Sequence, residues 1–197
     1  MRMLFLTLWL VIPLAVGVWH YGPGQERMEL DEIAGYLQKA QQLAERREYA
    51  LAVEQYEEAL RRLPGDRVAD IQSVRLERDK AQIFAHQLPA ARKDLEALVD
   101  ELAADPKADA ARLSDARQAL ANAQYYMTWL LRLEGQPRQI WEPEIEGARQ
   151  NYRLLTEQAR VGGHSDVAQK RAEDLEASVR LARMDLSELQ GLPLPSQ

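Results

Sequence analysis

Few residues in this chain have the type and spacing that catalysis or metal binding requires. Its three histidines, His20, His86 and His164, belong to no H-E-x-x-H helix and to no other spaced metal cluster. The absence of cysteine excludes disulfides, thiolate nucleophiles and cysteine-based zinc sites. No Gly-x-Ser-x-Gly elbow presents a serine, and Gly22-Pro23-Gly24 is typical of a turn rather than a phosphate cradle. The sequence therefore predicts no catalytic residue, no metal site and no cofactor.

Acidic side chains are frequent, but acid–base catalysis needs two of them to converge in one cleft with shifted pKa values. Neighbouring pairs such as Glu57-Glu58, and Glu144 with Glu146, lie in segments with a helical pattern. On amphipathic helices such groups usually form a solvated face. We therefore interpret the chain as a protein without enzymatic activity.

Two features are less ordinary. Arg78 falls on an otherwise apolar helical stripe, which places it at the edge of a packing seam or beside a carboxylate. Tyr125, Tyr126, Trp129 and Trp141 concentrate aromatic side chains in a chain that is only 7% aromatic. They are either core residues of a long helical hairpin or exposed anchors for a partner, because Tyr and Trp are favoured at binding hot spots. On the second interpretation, Tyr125 and Trp129 are candidate binding residues.

Composition sets limits on the partners. The chain has 197 residues, with 25 Lys and Arg against 31 Asp and Glu, and a net charge of −6. This length fits one domain with, at most, an appended segment. Contacts to phosphates need clustered cations, which this acidic chain lacks, so we expect no nucleic-acid partner.

The first 21 residues predict a transmembrane anchor or a signal peptide. The run from Met3 to Trp19 carries no charge and, at about 1.5 Å per helical residue, reaches roughly 25 Å. Small residues around Ala15 and Gly17 fit a cleaved signal, but the bulky aromatic residues that follow favour an anchor. Arg2 precedes the run and acidic residues follow it, so the positive-inside rule places the body in the periplasm of a bacterium. The predicted location is the inner membrane, single-pass, or the periplasm after cleavage.

The remainder reads as a succession of helices. We predict a linker at 22–27, a helical domain at 28–190 and a frayed tail at 191–197. Apolar residues recur at alternating spacings of three and four, and Gly and Pro divide the pattern into pieces of helical length. The seven predicted helices cover approximately 28–47, 49–63, 68–86, 89–104, 108–133, 143–161 and 165–190. The short connections between them imply antiparallel neighbours.

The first predicted helix pair resembles a tetratricopeptide repeat (TPR), a helix–turn–helix unit of about 34 residues. The match lies within 33–66, and its most characteristic stretch is EYALAVEQYEEALRRLPGD. The matching residues are mostly small or aromatic: Tyr36, Ala40, Leu43, Tyr49, Ala52, Tyr56, Ala59 and Pro64. Afterwards the resemblance is degenerate, although Ala91 and Ala148 occupy equivalent positions in later pairs.

The resemblance implies an all-α array of about three TPR-like helix pairs followed by a C-terminal capping helix. The alternative fold is an irregular helical bundle that contains one repeat-like hairpin. A TPR-like array would have a concave groove, and in the first pair its groove positions would include Leu37, Gln41 and Glu45. These positions are neutral to acidic, so an apolar or basic peptide is expected there.

The sequence thus predicts a membrane-anchored, periplasm-facing scaffold that binds protein or peptide partners and catalyses nothing. Two alternatives remain open: a structural bundle that self-associates through its last helix, and a secreted soluble form produced by cleavage of the leader.

Overall fold

A computed structural model describes the backbone of residues 23–190 and the side chains of residues 28–189. In this part of the chain 85% of the residues are helical and none is in a strand, which confirms the all-α prediction. The predicted anchor or signal peptide at 1–21 and the predicted tail at 191–197 lie outside the described residues. Within 23–190, no helix combines the length and the apolar composition that crossing a membrane requires.

The described residues form eight helices, each separated from the next by two to five residues. They are α1 (Pro23–Glu45), α2 (Tyr49–Arg62), α3 (Val68–Phe84), α4 (Leu88–Ala104), α5 (Ala110–Leu133), α6 (Arg138–Val161), α7 (Ser165–Arg183) and α8 (Leu186–Gln190). The segment expected to be a linker is helical from Pro23 onwards, since proline suits the first position of a helix.

The start of α6 also differs from the prediction. The sequence predicted a helix from Pro143, whereas α6 begins at Arg138 and contains Pro143 in its second turn. Proline inside a helix removes one backbone hydrogen bond and is normally unfavourable. Here Trp141, which precedes it, packs against the buried cluster around Ile145 and Leu181, and this contact holds the first turns in place.

The last predicted helix is interrupted, because α7 ends at Arg183 and α8 follows after a two-residue break. The Glu188 N–H donates to Asp185 Oδ1 at 2.8 Å, and the Asp185 N–H donates to Glu188 Oε2 at 2.9 Å. This reciprocal pair is a capping box, which starts a new helix at Asp185. The short helix then buries Leu189 completely.

The turns within successive helix pairs share one geometry. Arg47 (φ 62°), His86 (φ 60°) and Gly135 (φ 72°) lie in the left-handed region between α1 and α2, α3 and α4, and α5 and α6. In each turn the next residue donates its N–H to the carbonyl five residues earlier, the longer bond of a Schellman motif. The links from α2 to α3 and from α4 to α5 are different, because Leu63 and Asp105 are extended residues that precede prolines. The link from α6 to α7, with Gly163 at φ 74°, has the first geometry again, so the alternation ends at α6.

Because Arg47 adopts a conformation that favours glycine, Arg47→Gly should raise the free energy of unfolding by about 0.5 kcal/mol. Arg46→Gly is the matched control, since Arg46 is also exposed but has no positive φ. Urea denaturation followed by circular dichroism measures both. Equal destabilisation by the two substitutions would show that the turn is not strained at Arg47.

The described residues divide into two compact units with the boundary between Val74 and Arg75, so α3 contributes to both. In the first unit α1 packs against α2. The small side chains of Ala40, Ala52 and Ala59 are fully buried, so they allow the two helices to approach closely. Arg62 stacks on the Tyr36 ring, with its Cζ 4.9 Å from the ring centroid, and forms an ion pair with Glu32 at 3.3 Å.

The second unit contains consecutive packed helices, an arrangement compatible with a helical repeat fold. Its largest apolar cluster joins the end of α3 to α4 and α5 and contains Leu76, Leu95, Leu98 and Leu120. Further buried clusters join α5 to α6, and α6 to α7 and α8. Each helix from α4 to α6 is therefore covered by the one that follows it in the chain.

Helix α5 lies close to the backbone of α6 at Gly147. A Cβ atom added there would lie 2.5 Å from Gln124 Nε2, and the Gln124 side chain is buried and accepts a hydrogen bond from Asn151 at 3.2 Å. We expect Gly147→Ala to lower the free energy of unfolding by about 1–2 kcal/mol, although alanine is the better helix former. Gly35→Ala, also inside a helix but with open space around it, should instead stabilise the chain by up to ~1 kcal/mol. If both substitutions stabilise the chain in thermal melts, α5 and α6 are not in close contact at Gly147.

Candidate binding cleft

A polar cleft of about 570 Å³ lies between α5 and α7 in the second unit. Helix α6 packs against both of these helices and contributes the residue at the base of the cleft. The lining residues are predominantly polar or aromatic: Gln118, Asn122, Tyr125, Tyr126, Tyr152, Lys170, Arg171, Asp174 and Ala177. We refer to this site as the α5–α7 cleft.

A hydrogen-bond network fixes the base of the α5–α7 cleft. The Tyr152 hydroxyl donates to Asn122 Oδ1 at 2.8 Å, and Gln118 Nε2 donates to the same oxygen at 3.0 Å. Burial raises the pKa of Tyr152 above its ordinary value, and the nearby Asp174 carboxylate adds to this shift. The Tyr152 phenol is therefore neutral at physiological pH, and its O–H donates to Asn122 Oδ1.

The aromatic wall is formed by Tyr125 and Tyr126. Their rings meet edge to face, with centroids 5.9 Å apart, and the Tyr126 ring makes a second edge contact with Phe84 at 6.4 Å. Both tyrosines are half-buried, and burial raises the pKa of each hydroxyl. The wall therefore consists of neutral rings whose orientation is set by their packing.

The acidic group of the α5–α7 cleft is Asp174 on α7. Its nearest donors are distant, with Gln118 Nε2 at 3.5 Å and Arg171 Nη1 at 3.6 Å from Oδ2. Burial raises the pKa of Asp174, and the opposing effects of Arg171 and Gln118 are smaller. The oxygen of the Gln118 amide, Oε1, is buried and has no hydrogen-bond partner.

The lining of the α5–α7 cleft offers hydrogen-bonding groups, aromatic rings and charges. It contains one carboxylate and no histidine. Among the described residues, no group of three or more His, Asp or Glu side chains could hold a metal ion. What the cleft offers is aromatic surface, amide and carboxylate oxygens, and two cations at its edge.

The predicted site residues lie in different places. Tyr125 lines the α5–α7 cleft. Tyr125 also packs against the cluster around Ile145, and Trp129, one turn further along α5, packs against the same cluster. The indole Nε1 of Trp129 is buried without a hydrogen-bond partner. In the first unit, Gln41 and Glu45 are exposed on α1, and Leu37 is half-buried.

Sequence reasoning missed the polar residues of the cleft. Gln118 and Asn122 are four residues apart and precede Tyr125 by seven and three, so they share one face of α5. A row of polar residues that continues into tyrosines, on a helix otherwise rich in Ala and Leu, indicates the face that lines the cleft. Asp174 could not be identified in this way, because it lies on another helix and the pattern of one helix does not show which helices are its neighbours.

The unusual Arg78 is paired with carboxylates, one of the two positions expected for it. Its guanidinium donates to Asp79 Oδ1 through Nε and Nη2, at 2.8 and 2.6 Å, and through Nη2 to Asp94 Oδ2 at 2.9 Å. Asp79 is completely buried, and its second oxygen has no hydrogen-bond partner.

No protein-family model matches the chain, and comparison with curated proteins and with solved structures finds no significant similarity.

Proposed function

We propose that this chain is a membrane-anchored, periplasm-facing scaffold of TPR-like helix pairs that binds protein or peptide partners and has no catalytic activity of its own. The α5–α7 cleft is the observation that carries the proposal. Two helices that are not adjacent in sequence wall it, and their shared neighbour closes its base, which is how stacked helix pairs create a binding groove.

The composition of the cleft supports a peptide ligand. Tyrosine rings provide large contact areas at a small cost in side-chain entropy, and amide side chains hydrogen-bond to a peptide backbone. The volume of about 570 Å³ lies within the range of ligand sites and accommodates a few residues of an extended chain.

The packing of α7 favours this proposal over self-association through the last helix. Ala168, Ser178 and Leu181 of α7 are buried within the chain itself. The other small and apolar residues of its stripe are half-buried: Ala172, Leu175, Val179 and Ala182. Much of the surface that a coiled coil would use is therefore already covered within the chain.

Peptide selection tests the proposal. The full chain, purified in a mild detergent, is exposed to a displayed library of random nonapeptides, and so are two variants. Ala177→Gln places a longer side chain in the α5–α7 cleft, whereas Ala97→Gln makes the same change on the exposed surface of α4. We expect one set of peptides to be enriched on the native chain and on Ala97→Gln but not on Ala177→Gln. Equal enrichment on all three chains, or none on any, contradicts the proposal.

The anchoring rests on the uncharged run from Met3 to Trp19 and on Arg2 before it. We expect the protein to be recovered from the bacterial membrane fraction with its N-terminal sequence intact. N-terminal sequencing that begins shortly after Ala15 or Gly17 would show instead that the leader is a cleaved signal.

A further inference from the structure

Most hydrogen-bond acceptors of the α5–α7 cleft already have donors or lie out of a ligand's reach. Asn122 Oδ1 accepts from Tyr152 and from Gln118, at 2.8 and 3.0 Å. Asp174 Oδ2 accepts from Gln118 at 3.5 Å and pairs with Arg171 at 3.6 Å. The remaining amide oxygen, Gln118 Oε1, is buried. Apart from the phenol groups, Asp174 Oδ1 is therefore the free side-chain acceptor that the lining offers.

Unpaired donors are more numerous in the same lining. Within the described part of the chain, Asn122 Nδ2 and Lys170 Nζ make no hydrogen bond. The hydroxyls of Tyr125 and Tyr126 make none either, and burial raises the pKa of each, so both keep their protons. The cleft thus offers more donors than acceptors, and a molecule bound there should present acceptors.

The charges of the cleft favour a neutral ligand. Arg171 and Asp174 compensate each other as an ion pair. The charge of Lys170 is left over, but this side chain is exposed and water screens it. A cation would meet Lys170 and Arg171, whereas an anion would meet Asp174. Backbone carbonyls are neutral acceptors, and every residue of a peptide supplies one.

Proline is the residue that supplies a carbonyl without an N–H group. Any other residue of an extended peptide brings an N–H for which this lining has few acceptors, and an N–H buried without a partner weakens binding. Segments rich in proline adopt the polyproline II conformation, in which the carbonyls remain free to accept hydrogen bonds. The rings of Tyr125 and Tyr126, which meet edge to face, provide an aromatic surface for the pyrrolidine ring.

We propose, on the basis of the proposed function, that the α5–α7 cleft selects extended peptides that place a proline against Tyr125 and Tyr126. The carbonyls beside this proline accept hydrogen bonds from the unpaired donors of the cleft, which are the two phenol hydroxyls, Asn122 Nδ2 and Lys170 Nζ. The missing N–H of proline avoids a group that the lining could not satisfy.

The test uses the random nonapeptide library as the probe and two further variants of the full chain. The double variant Tyr125→Phe/Tyr126→Phe keeps both rings and removes both hydroxyls. Tyr36→Phe is the matched control, because it removes a hydroxyl in the first unit, where Tyr36 donates to Glu32 at 3.3 Å. Thermal melts confirm that both chains fold before the selection is made.

We expect proline to be enriched about tenfold at one or more aligned positions on the native chain and on Tyr36→Phe. In isothermal titration, the leading peptide should bind the double variant about tenfold more weakly than it binds these two chains. Exchanging its proline for alanine should weaken binding to the native chain by a similar factor. Exchange for N-methylalanine, which also lacks the N–H, should preserve most of the affinity.

Three results would overturn the inference: enrichment of charged residues in place of proline, unchanged binding to the double variant, and an N-methylalanine peptide that binds as weakly as the alanine peptide. In each of these cases the proposed function stands if Ala177→Gln still abolishes selection. If no peptide is enriched on the native chain, both proposals fail.

Discussion

Arg132→Met should lower the free energy of unfolding by about 3 kcal/mol, because Arg132 joins three helices at once. Its Nη1 donates to the Leu181 carbonyl and its Nη2 to the Met184 carbonyl, at the C-terminal end of α7. The guanidinium also stacks on Trp141 of α6, with its Cζ 4.9 Å from the ring centroid. The last carbonyls of a helix have no partner within the helix, so the loss of Arg132 leaves these two unsatisfied beside a buried cluster.

Two further substitutions make this measurement specific. Arg132→Lys keeps the charge, but a lysine ammonium cannot donate to two carbonyls as the planar guanidinium does. We therefore expect its free energy of unfolding to lie between those of the native chain and of Arg132→Met. Arg180→Met removes an exposed arginine from α7 whose ion pair with Glu176, at 3.4 Å, spans one helical turn. Arg180→Met should therefore change the free energy of unfolding, measured by urea denaturation, very little. If Arg132→Met and Arg180→Met lower the free energy of unfolding by the same small amount, Arg132 does not stabilise the end of α7.

Asp79→Asn should become more stable relative to the native chain, by about 3 kcal/mol, as the pH rises from about 4 to about 7. Burial raises the pKa of Asp79 from 3.8 to about 6, even though Arg78 lowers it. A group whose pKa is raised by folding favours the folded state at low pH. That contribution is lost as the pH passes from the unfolded pKa through the folded one, because the buried group must then ionise.

The measurement is the difference in unfolding free energy between Asp79→Asn and the native chain at each pH, which cancels the titration of the other carboxylates. Arg78→Met should extend the pH-dependent window upwards, since it removes the cation that opposes the effect of burial. A difference that stays constant between about pH 4 and 7 would show that Asp79 is not desolvated in the folded chain.

Much of the helical framework could be predicted from sequence, because helix formation and helix ends depend on nearby residues. Ala40, Ala52 and Ala59 are small residues among the positions that match a tetratricopeptide repeat, and all three are fully buried. Two helix boundaries differ from the prediction. The start of α8 has a local cause, because the capping box consists of Asp185 and Glu188, three residues later. The start of α6 has a tertiary cause, because its first turns depend on Trp141 packing against the cluster that includes residues of α7 and α8.

The α5–α7 cleft could be predicted only in part. Aromatic composition pointed to Tyr125, but Gln118 and Asp174 are 56 residues apart and meet only because α6 packs against both of their helices. Helical periodicity identifies the apolar face of each helix and does not identify its neighbours. For the same reason, the contact of Arg132 with the end of α7 could not be predicted from sequence.

Isothermal titration of one selected nonapeptide against the native chain and two variants tests most directly whether a peptide occupies the α5–α7 cleft. We expect the peptide to bind the native chain and Ala97→Gln with equal affinity, and Ala177→Gln at least about tenfold more weakly. Equal affinity for all three chains would mean that peptides bind elsewhere, and it would contradict the assignment of the cleft as the binding site.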